Sequence, residues 1–211
     1  MALKRGLSTA NLINKKYEKL SLSPRWHAAI AEPRATGVWF ACANSGNGKT
    51  SGILQLCKEL CRIGKGIYNS LEEEDDLTMQ DAFVREGMAS VGSKLILTWE
   101  TLEELDERLS KPKSPWFVVI DSVQYLRCRF SDYLKFKRKH KNKLIIIISQ
   151  AEGKEPKGKL AKDIKYDASL KLWIEGFVMY SQGRYIGPLG HYVINEERAA
   201  LYHGKIENQA S

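Results

Sequence analysis

A glycine-rich segment between an apolar run and a helical pattern constrains this chain more than any other feature. The segment reads Ala43-Asn44-Ser45-Gly46-Asn47-Gly48-Lys49-Thr50, and the apolar run Gly37–Cys42 precedes it. A strand, a glycine-rich turn and a helix in this order are typical of a phosphate-binding P-loop. The pattern G-x-x-x-x-G-K-[ST] is met except at its first position, which is Ala43. A chance glycine-rich turn is the alternative, and it accounts less well for the two flanks.

Each residue type in this segment has a use in binding phosphate. Two glycines let the backbone curl so that successive N–H groups face phosphate oxygens, and the following helix adds the positive end of its dipole. Lys49 is expected to reach the β- and γ-phosphates, and the Thr50 hydroxyl is expected to hold Mg²⁺. The predicted nucleotide-binding residues are consecutive: Asn44, Ser45, Gly46, Asn47, Gly48, Lys49, Thr50 and Ser51.

Two further predicted strands lead into acidic residues. The run Trp116–Ile120 is followed by Asp121, which is the Walker B form of a buried strand that delivers a carboxylate to Mg²⁺. The alternative is a core strand whose turn happens to begin with aspartate. The predicted strand Ile67–Leu71 leads into the acidic segment Glu72–Asp76. Most of these acids are expected to be the solvated start of a helix, while at least one could orient a water for attack on a γ-phosphate.

A third apolar run, Leu144–Ile148, ends in Ser149-Gln150. A polar side chain at that strand end could sense a γ-phosphate. Strands and helices alternate through residue 150, and strands dominate after it. The sequence therefore predicts an α/β fold, with a mostly parallel central sheet flanked by helices and a C-terminal antiparallel extension built from residues 170–194.

Composition and net charge indicate which kind of partner and which cellular compartment to expect. The chain has 211 residues, which suits one domain, and its net charge of +8 favours nucleic acid or another polyanion as partner. A solvated basic surface is the alternative. Four cysteines are expected to be reduced thiols of a cytoplasmic protein, with Cys57 and Cys61 in a helical core stripe rather than a metal site. We expect no signal peptide and no membrane association.

Four other segments carry expectations that the structure can check. Ser23-Pro24 predicts the start of a short helix, which packs either on its own domain or on a neighbouring subunit. Residues 77–90 are predicted to be helical with Leu77, Ala82, Phe83 and Val84 in the core. Residues 151–167 are predicted to be a mobile basic loop. The segment after Glu196 is expected to be a fraying tail.

Several of these elements, in their order along the chain, resemble the RecA-fold ATPases, within them the RadA- and DnaB-like branch. The resemblance covers about residues 36–195. Asp121-Ser122-Val123-Gln124 is similar to the RadA Walker B segment, and Ser149-Gln150 is similar to the corresponding DnaB strand end. The overall pattern also resembles small standalone RadA-like ATPases of phages and mobile elements. The resemblance divides the chain into an N-terminal arm at 1–36, a RecA-like ATPase core at 37–200 and a tail at 201–211.

This resemblance implies Mg²⁺-dependent ATP hydrolysis and assigns its residues. The family's catalytic glutamate ends the second strand, which corresponds here to Ser70-Leu71-Glu72, with Glu73 as the second choice. The implied catalytic set is Glu72, Lys49, Gln150 and Arg184, and the implied Mg²⁺ ligands are Thr50 and Asp121. Arg184 matches the arginine of a RadA motif that reaches a neighbour's ATP, although Gln182 replaces the motif's lysine and Ile186 is inserted. The alternative for Arg184 is a surface turn.

The resemblance also implies partners. DNA, expected to be single-stranded, would contact the lysines of the basic loop: Lys154, Lys157, Lys159, Lys162 and Lys165. A homo-oligomer, ring or filament, would complete the site. Two other functions stay open: a regulatory or loader ATPase that acts on a protein partner without DNA stimulation, and a structural oligomer that uses ATP only for assembly.

Overall fold

The computed structural model describes residues 6–204. Its helices are α1 (Thr9–Ile13), α2 (Pro24–Ile30), α3 (Lys49–Leu60), α4 (Leu77–Arg85), α5 (Leu102–Ser110), α6 (Phe130–Lys139), α7 (Lys159–Asp167) and α8 (Glu196–His203). Its strands are β1 (Gly37–Ala43), β2 (Gly66–Ser70), β3 (Leu95–Thr98), β4 (Phe117–Asp121), β5 (Leu144–Glu152), β6 (Glu155–Pro156), β7 (Leu170–Glu175), β8 (Val178–Gly183) and β9 (His191–Val193). Short 3₁₀ segments cover Met88–Lys94 and Val123–Tyr125.

One sheet runs through the molecule in the order β3-β2-β4-β5-β1-β7-β8-β9, and β6 pairs with the end of β5. Six neighbouring strands of this sheet are parallel: β3, β2, β4, β5, β1 and β7. The strands β8 and β9 add an antiparallel edge. Ala43 at the end of β1 lies opposite Gln150 of β5, and Ser70 of β2 lies opposite Asp121 of β4. The predicted α/β fold with an antiparallel extension is therefore confirmed, and the polar strand ends share one edge.

The central strands are apolar on both faces because helices cover both sides of the sheet. Trp39 and Ile146 face a core that includes α3, while Phe40 and Ile147 face a second core that includes α5, α6 and α7. Cys57 and Cys61 lie in the first core on α3, as the helical period predicts. The helix α5 starts with a capping box formed by Thr101 and Glu104.

The N-terminal helix α2 packs on its own domain, which is one of the two expected outcomes. The Trp26 ring stacks on Tyr192 of β9, with 3.8 Å between the ring centroids and 8° between the planes. The Ser181 hydroxyl of β8 donates a 2.7 Å hydrogen bond to the Ala29 carbonyl. Residues 1–5 of the predicted arm and residues 205–211 of the predicted tail lie outside the described range.

The prediction of a mobile loop over 151–167 is wrong. Its second half is the helix α7, which buries Ala161 and Ile164. These residues, together with Leu160, are spaced three and four apart, so an apolar helical period is present but short. Its first half is the end of β5, a turn and β6. Lysines at the intervening positions obscure the period in the sequence.

Two other helix predictions also need correction. In α4, Leu77 and Val84 are exposed to 64% and 75%, while Met79 and Ala82 face the core. The helix ends at Arg85 because Gly87 adopts a left-handed conformation (φ 61°). The predicted tail after Glu196 is the helix α8, whose start is capped by the Asn195 side chain. Among residues 6–204, no helix has the length and apolarity to cross a membrane.

The buried thiols predict a loss of stability at alkaline pH. Burial raises the pKa of Cys42 and of Cys61 to about 11, whereas a thiol of the unfolded chain ionises near pH 8.5. Between these values the unfolded state loses protons that the folded state keeps, so stability falls as pH rises, by up to about 1.4 kcal/mol per pH unit for each thiol. Urea unfolding at pH 8 and pH 10.5 should show a smaller decline in the double variant Cys42→Ala, Cys61→Ala than in the wild type. Tyrosine and lysine titrations are common to both proteins, so equal declines would contradict this account.

Candidate functional site

The loop after β1 has the backbone geometry that its glycines predict. Gly46 and Gly48 have φ of 79° and 88°, in the left-handed region that favours glycine, and α3 begins at Lys49. The Asn47 side chain donates to the Asn44 and Ser45 carbonyls at 3.2 Å. The loop therefore curls over the start of α3, where N–H groups of the first helical turn have no intrahelical acceptor.

The turn between β7 and β8 supports this loop through two hydrogen bonds. The Gly176 N–H donates to Asn47 Oδ1 at 2.7 Å, and the Phe177 N–H donates to the Asn47 carbonyl at 3.1 Å. The Phe177 ring lies so close to Gly48 that a Cβ added at Gly48 would lie 2.7 Å from Phe177 Cδ1. Sequence reasoning predicts an antiparallel extension over residues 170–194 but has no signal for its contact with the loop.

Three charged side chains meet beside the loop. Lys49 Nζ lies 3.1 Å from Asp121 Oδ1 and 3.8 Å from Glu72 Oε2. Burial alone would lower the pKa of Lys49, but the two carboxylates outweigh it and the pKa is raised. Asp121 also accepts a 2.6 Å hydrogen bond from the Tyr68 hydroxyl, and burial together with this carboxylate raises the pKa of Tyr68 well above its usual value. Lys49 therefore stays cationic, and Tyr68 stays protonated.

Glu72 is held in place by two donors from neighbouring strand ends. Gln150 Nε2 donates to Glu72 Oε1 at 2.7 Å, and the Ser122 hydroxyl donates to Glu72 Oε2 at 3.2 Å. The Asp121–Ser122 peptide bond is cis. Glu73 has a different partner, because its carboxylate accepts from the Thr78 hydroxyl at 3.3 Å. Of the two candidate glutamates, Glu72 is the one that contacts Lys49 and Gln150.

Lys49, Glu72 and Gln150 line a cleft of about 460 Å³. Its walls include the predicted residues Asn44, Ser45, Gly46, Gly48, Lys49, Thr50, Ser51, Glu72, Glu73 and Gln150. Sequence reasoning did not assign the other lining residues, which are Ala43, Ala151 and three larger side chains, Arg85, Phe177 and Arg198. Arg85 Nη2 donates to the Ser51 hydroxyl at 3.2 Å, and the Arg198 guanidinium lies 5.0 Å from the Phe177 ring centroid. The two arginines add positive charge to a cleft already built around Lys49.

The oxygen donors beside the loop suit a hard divalent cation. Thr50 offers a hydroxyl and Asp121 a carboxylate, which are the ligand types that Mg²⁺ takes in proteins. Among residues 6–204, no three His, Cys, Asp or Glu side chains gather as a self-sufficient metal site. A Mg²⁺ held by Thr50 and Asp121 would therefore take its remaining ligands from phosphate oxygens and water.

The other predicted site residues lie away from the cleft. Lys154 on the β5–β6 turn, Lys157 after β6, and Lys159 and Lys162 on α7 are exposed, while Lys165 Nζ pairs with Glu155 at 3.2 Å. Arg184 follows β8, whose last residue pairs with Leu170 at the start of β7. The P-loop follows the opposite end of the sheet, where Ile174 lies beside Ala43. Arg184 is therefore exposed at the edge opposite to its own P-loop.

Gly48→Ala is expected to lower nucleotide affinity by about 10-fold or more. Alanine costs about 1–2 kcal/mol in the left-handed region, and its Cβ would also collide with Phe177. Gly92→Ala is the matched control, because Gly92 also has positive φ (51°) but has no atom within 4 Å of an added Cβ. Titration of a fluorescent ATP analogue checks the prediction, and equal affinity of the two variants would contradict it.

The comparisons with known proteins find a similarity in fold. No family model matches the sequence, and no curated protein matches it. The structure is similar to that of a KaiC-like protein from the hyperthermophilic archaeon Pyrococcus horikoshii, with a TM-score of 0.58 and 19% sequence identity. The similarity covers 84% of this chain and 99% of that chain. The protein has a RecA-like α/β fold, with the P-loop strand β1 separated from the Asp121 strand β4 by β5.

Proposed function

We propose that this protein is an ATPase that hydrolyses ATP with Mg²⁺. One observation carries the proposal: Lys49, Glu72, Asp121 and Gln150 come from separate elements and meet within about hydrogen-bond distance beside the P-loop. A lysine, a metal-binding carboxylate, a base and an amide at one phosphate-binding loop are the parts that phosphoryl transfer to water requires. Four free thiols fit a cytoplasmic location.

Each residue has a role that follows from its chemistry. The loop N–H groups and Lys49 would stabilise the β- and γ-phosphates, and Thr50 and Asp121 would hold the metal. When bound, Mg²⁺ neutralises charge on the phosphate oxygens. Glu72 accepts a proton from the attacking water, and Ser122 and Gln150 orient its carboxylate.

Lys49→Ala tests the ATPase proposal most directly. We expect the hydrolysis rate to fall at least about 100-fold, because the variant removes the charge that stabilises the transferred phosphoryl group. Lys141→Ala is the control, since Lys141 is an exposed lysine on the turn before β5. Phosphate release from Mg-ATP measures both. Hydrolysis at the wild-type rate in Lys49→Ala would contradict the ATPase proposal.

We further propose that hydrolysis is coupled to DNA, preferably single-stranded, in an oligomer of the RadA- or DnaB-like type. The exposed lysines Lys154, Lys157, Lys159 and Lys162, together with the net charge of +8, support a polyanionic partner. In such an oligomer, Arg184 would reach a neighbour's nucleotide rather than its own. A single-stranded oligonucleotide should then stimulate hydrolysis.

Salt dependence tests the DNA contact separately from hydrolysis. Each phosphate contact adds about 0.7 to the slope of log affinity against log salt for a single strand. Lys157→Ala with Lys159→Ala should therefore flatten that slope by about 1.4. Lys113→Ala with Lys141→Ala removes two exposed lysines elsewhere and should leave the slope unchanged. Equal slopes for the two double variants would argue against this segment as the DNA contact.

The second candidate function is a regulatory or loader ATPase that acts on a protein partner. It is favoured by the structure of residues 159–167, which form a helix packed on the core rather than a mobile loop. ATP hydrolysis that does not respond to DNA would favour this candidate. An oligomer that needs ATP but not hydrolysis would instead keep its assembly in Glu72→Gln.

A further inference from the structure

A groove separate from the nucleotide cleft runs along α3 and has a volume of about 550 Å³. Its floor is one face of this helix and of the turn that follows, because the floor residues are spaced three and four apart. They are Gln55, Lys58, Glu59 and Arg62. One wall comes from α2 and the residues at the end of β9, and the other comes from the end of α4 and the 3₁₀ segment Met88–Lys94. We call this cavity the α3 groove.

Positive charge in the α3 groove exceeds negative charge. The cationic side chains of its lining are Arg25, Lys58, Arg62, Arg85 and Lys94, and the carboxylates are Glu59 and Glu86. Within the described range 6–204, neither of the two lysines forms an ion pair with a carboxylate. Lys94 is also exposed, at the end of the 3₁₀ segment. A bound anion would therefore neutralise charge that the chain itself leaves unmatched.

Both carboxylates of the groove are already held by donors of this chain. Glu59 is buried and accepts from the Ser23 N–H at 2.6 Å and from Arg62 Nη1 at 2.9 Å. Glu86 accepts from Gln55 Nε2 at 2.9 Å. Because Arg62 reaches Glu59 through Nη1 and its side chain is 62% exposed, its other N–H groups can donate to a ligand.

The chemistry of the lining favours phosphate groups over a flat organic ring. Trp26 and Tyr192 are the aromatic residues of the lining, but both are buried and their rings stack on each other. The Arg25 guanidinium also lies 4.5 Å from the Tyr192 ring centroid, so the groove offers no open aromatic face to a base. Guanidinium and ammonium groups bind phosphate through strong charge-assisted hydrogen bonds. The volume of the groove lies within the usual range for small-molecule sites.

We propose that the α3 groove binds a compact anion with two or more phosphate groups, and that Arg62 and Lys94 contact it. Such an anion carries enough negative charge to match the excess of cations in the lining. Arg85 lines both the α3 groove and the nucleotide cleft, so an anion in the groove competes with the Ser51 hydroxyl for its guanidinium. Binding in the groove does not require ATP hydrolysis.

Titration of the full chain with inorganic pyrophosphate, followed by NMR of the backbone amides, observes the two sites separately. The amides of Ser90, Val91 and Lys94 report on the α3 groove, and those of Gly46 and Gly48 report on the P-loop. We expect saturable shifts of the groove amides with pyrophosphate. Inorganic phosphate should bind there at least about 10-fold more weakly, because it makes fewer charge-assisted hydrogen bonds. ADP with Mg²⁺, titrated in parallel, should bind the groove no more tightly than pyrophosphate, since no face for its base is open.

Variants of the groove test which residues hold the anion. Arg62→Ala with Lys94→Ala should raise the apparent Kd of pyrophosphate at the groove by about 10-fold or more, because charge-assisted hydrogen bonds are lost. If removal of the Arg62 contact with buried Glu59 prevents folding, Lys94→Glu replaces this variant, since Lys94 is exposed, and it should weaken binding by a similar factor. Lys135→Ala with Arg138→Ala is the charge-matched control, because both residues are exposed on α6, and it should keep the wild-type affinity.

The outcomes separate the α3 groove from the P-loop and from general attraction to a basic protein. Equal weakening in the groove variants and in the α6 control would show that net charge attracts the anion, and the groove assignment would be overturned. It would also be overturned if the groove amides of the wild type did not shift with pyrophosphate, if inorganic phosphate bound there as tightly, or if ADP bound there more tightly. If the groove amides respond while Gly46 and Gly48 respond to neither pyrophosphate nor ADP, the groove assignment stands and the ATPase proposal is contradicted.

Discussion

Glu72→Gln is expected to lower the rate of ATP hydrolysis by about 10²–10⁴-fold while leaving ATP binding nearly unchanged. Glutamine keeps the shape of the side chain but cannot accept the proton of an attacking water, and general base catalysis contributes a factor of that size. Single-turnover hydrolysis, together with binding of a fluorescent ATP analogue, separates the two effects.

Two neighbouring acids provide the controls for this substitution. Glu73→Gln should retain most of the activity, because Glu73 accepts from Thr78 rather than from Gln150. Glu74→Gln should behave as wild type, since Glu74 is exposed and does not line the cleft. A larger loss in Glu73→Gln than in Glu72→Gln would transfer the catalytic role to Glu73.

Trp26→Ala is expected to reduce the free energy of unfolding by about 3–5 kcal/mol, which is the range for truncating a buried aromatic side chain. Trp26 is only 4% exposed, and its ring stacks on Tyr192. The loss would therefore combine the cavity with the missing aromatic contact. Denaturant unfolding followed by circular dichroism gives the change in the unfolding midpoint and slope.

Trp99→Ala is the matched control because Trp99 is 48% exposed. This substitution should reduce the free energy of unfolding by less than about 1 kcal/mol, as substitutions on the surface usually do. If Trp26→Ala proved as mild as this control, the helix α2 would not be an integral part of the core. Its aromatic contact with β9 would then contribute little to stability in solution.

The part of the site that could be predicted from sequence is the part made at strand ends. Asp121 and Gln150 follow continuous apolar runs, and buried parallel strands place their carboxyl ends at one edge. That rule brings Glu72, Asp121 and Gln150 together without any knowledge of the helices, and the P-loop pattern adds Lys49. The choice of Glu72 within the acidic segment needed the resemblance, because five adjacent acids are chemically equivalent in a sequence.

The parts that could not be predicted depend on contacts between distant residues. Phe177 and Arg198 reach the cleft from the antiparallel edge, and no short motif records how β8, β9 and α8 turn back toward the P-loop. The helix α7 was missed for a different reason. Its buried residues Ala161 and Ile164 fill only two turns, and the lysines between them resemble a solvated loop.

The hydrogen bonds from the Gly176-Phe177 turn to Asn47 have a consequence for the order of folding. The two partners are separated by 129 residues along the chain. A growing chain therefore makes its P-loop before the support for that loop, which is absent until Gly176 and Phe177 have been synthesised. Contacts of such large sequence separation form late, because closing the intervening chain costs entropy. Nucleotide would then stabilise a chain that extends past Phe177 but not a shorter one, so ATP would favour late steps in the folding of this domain.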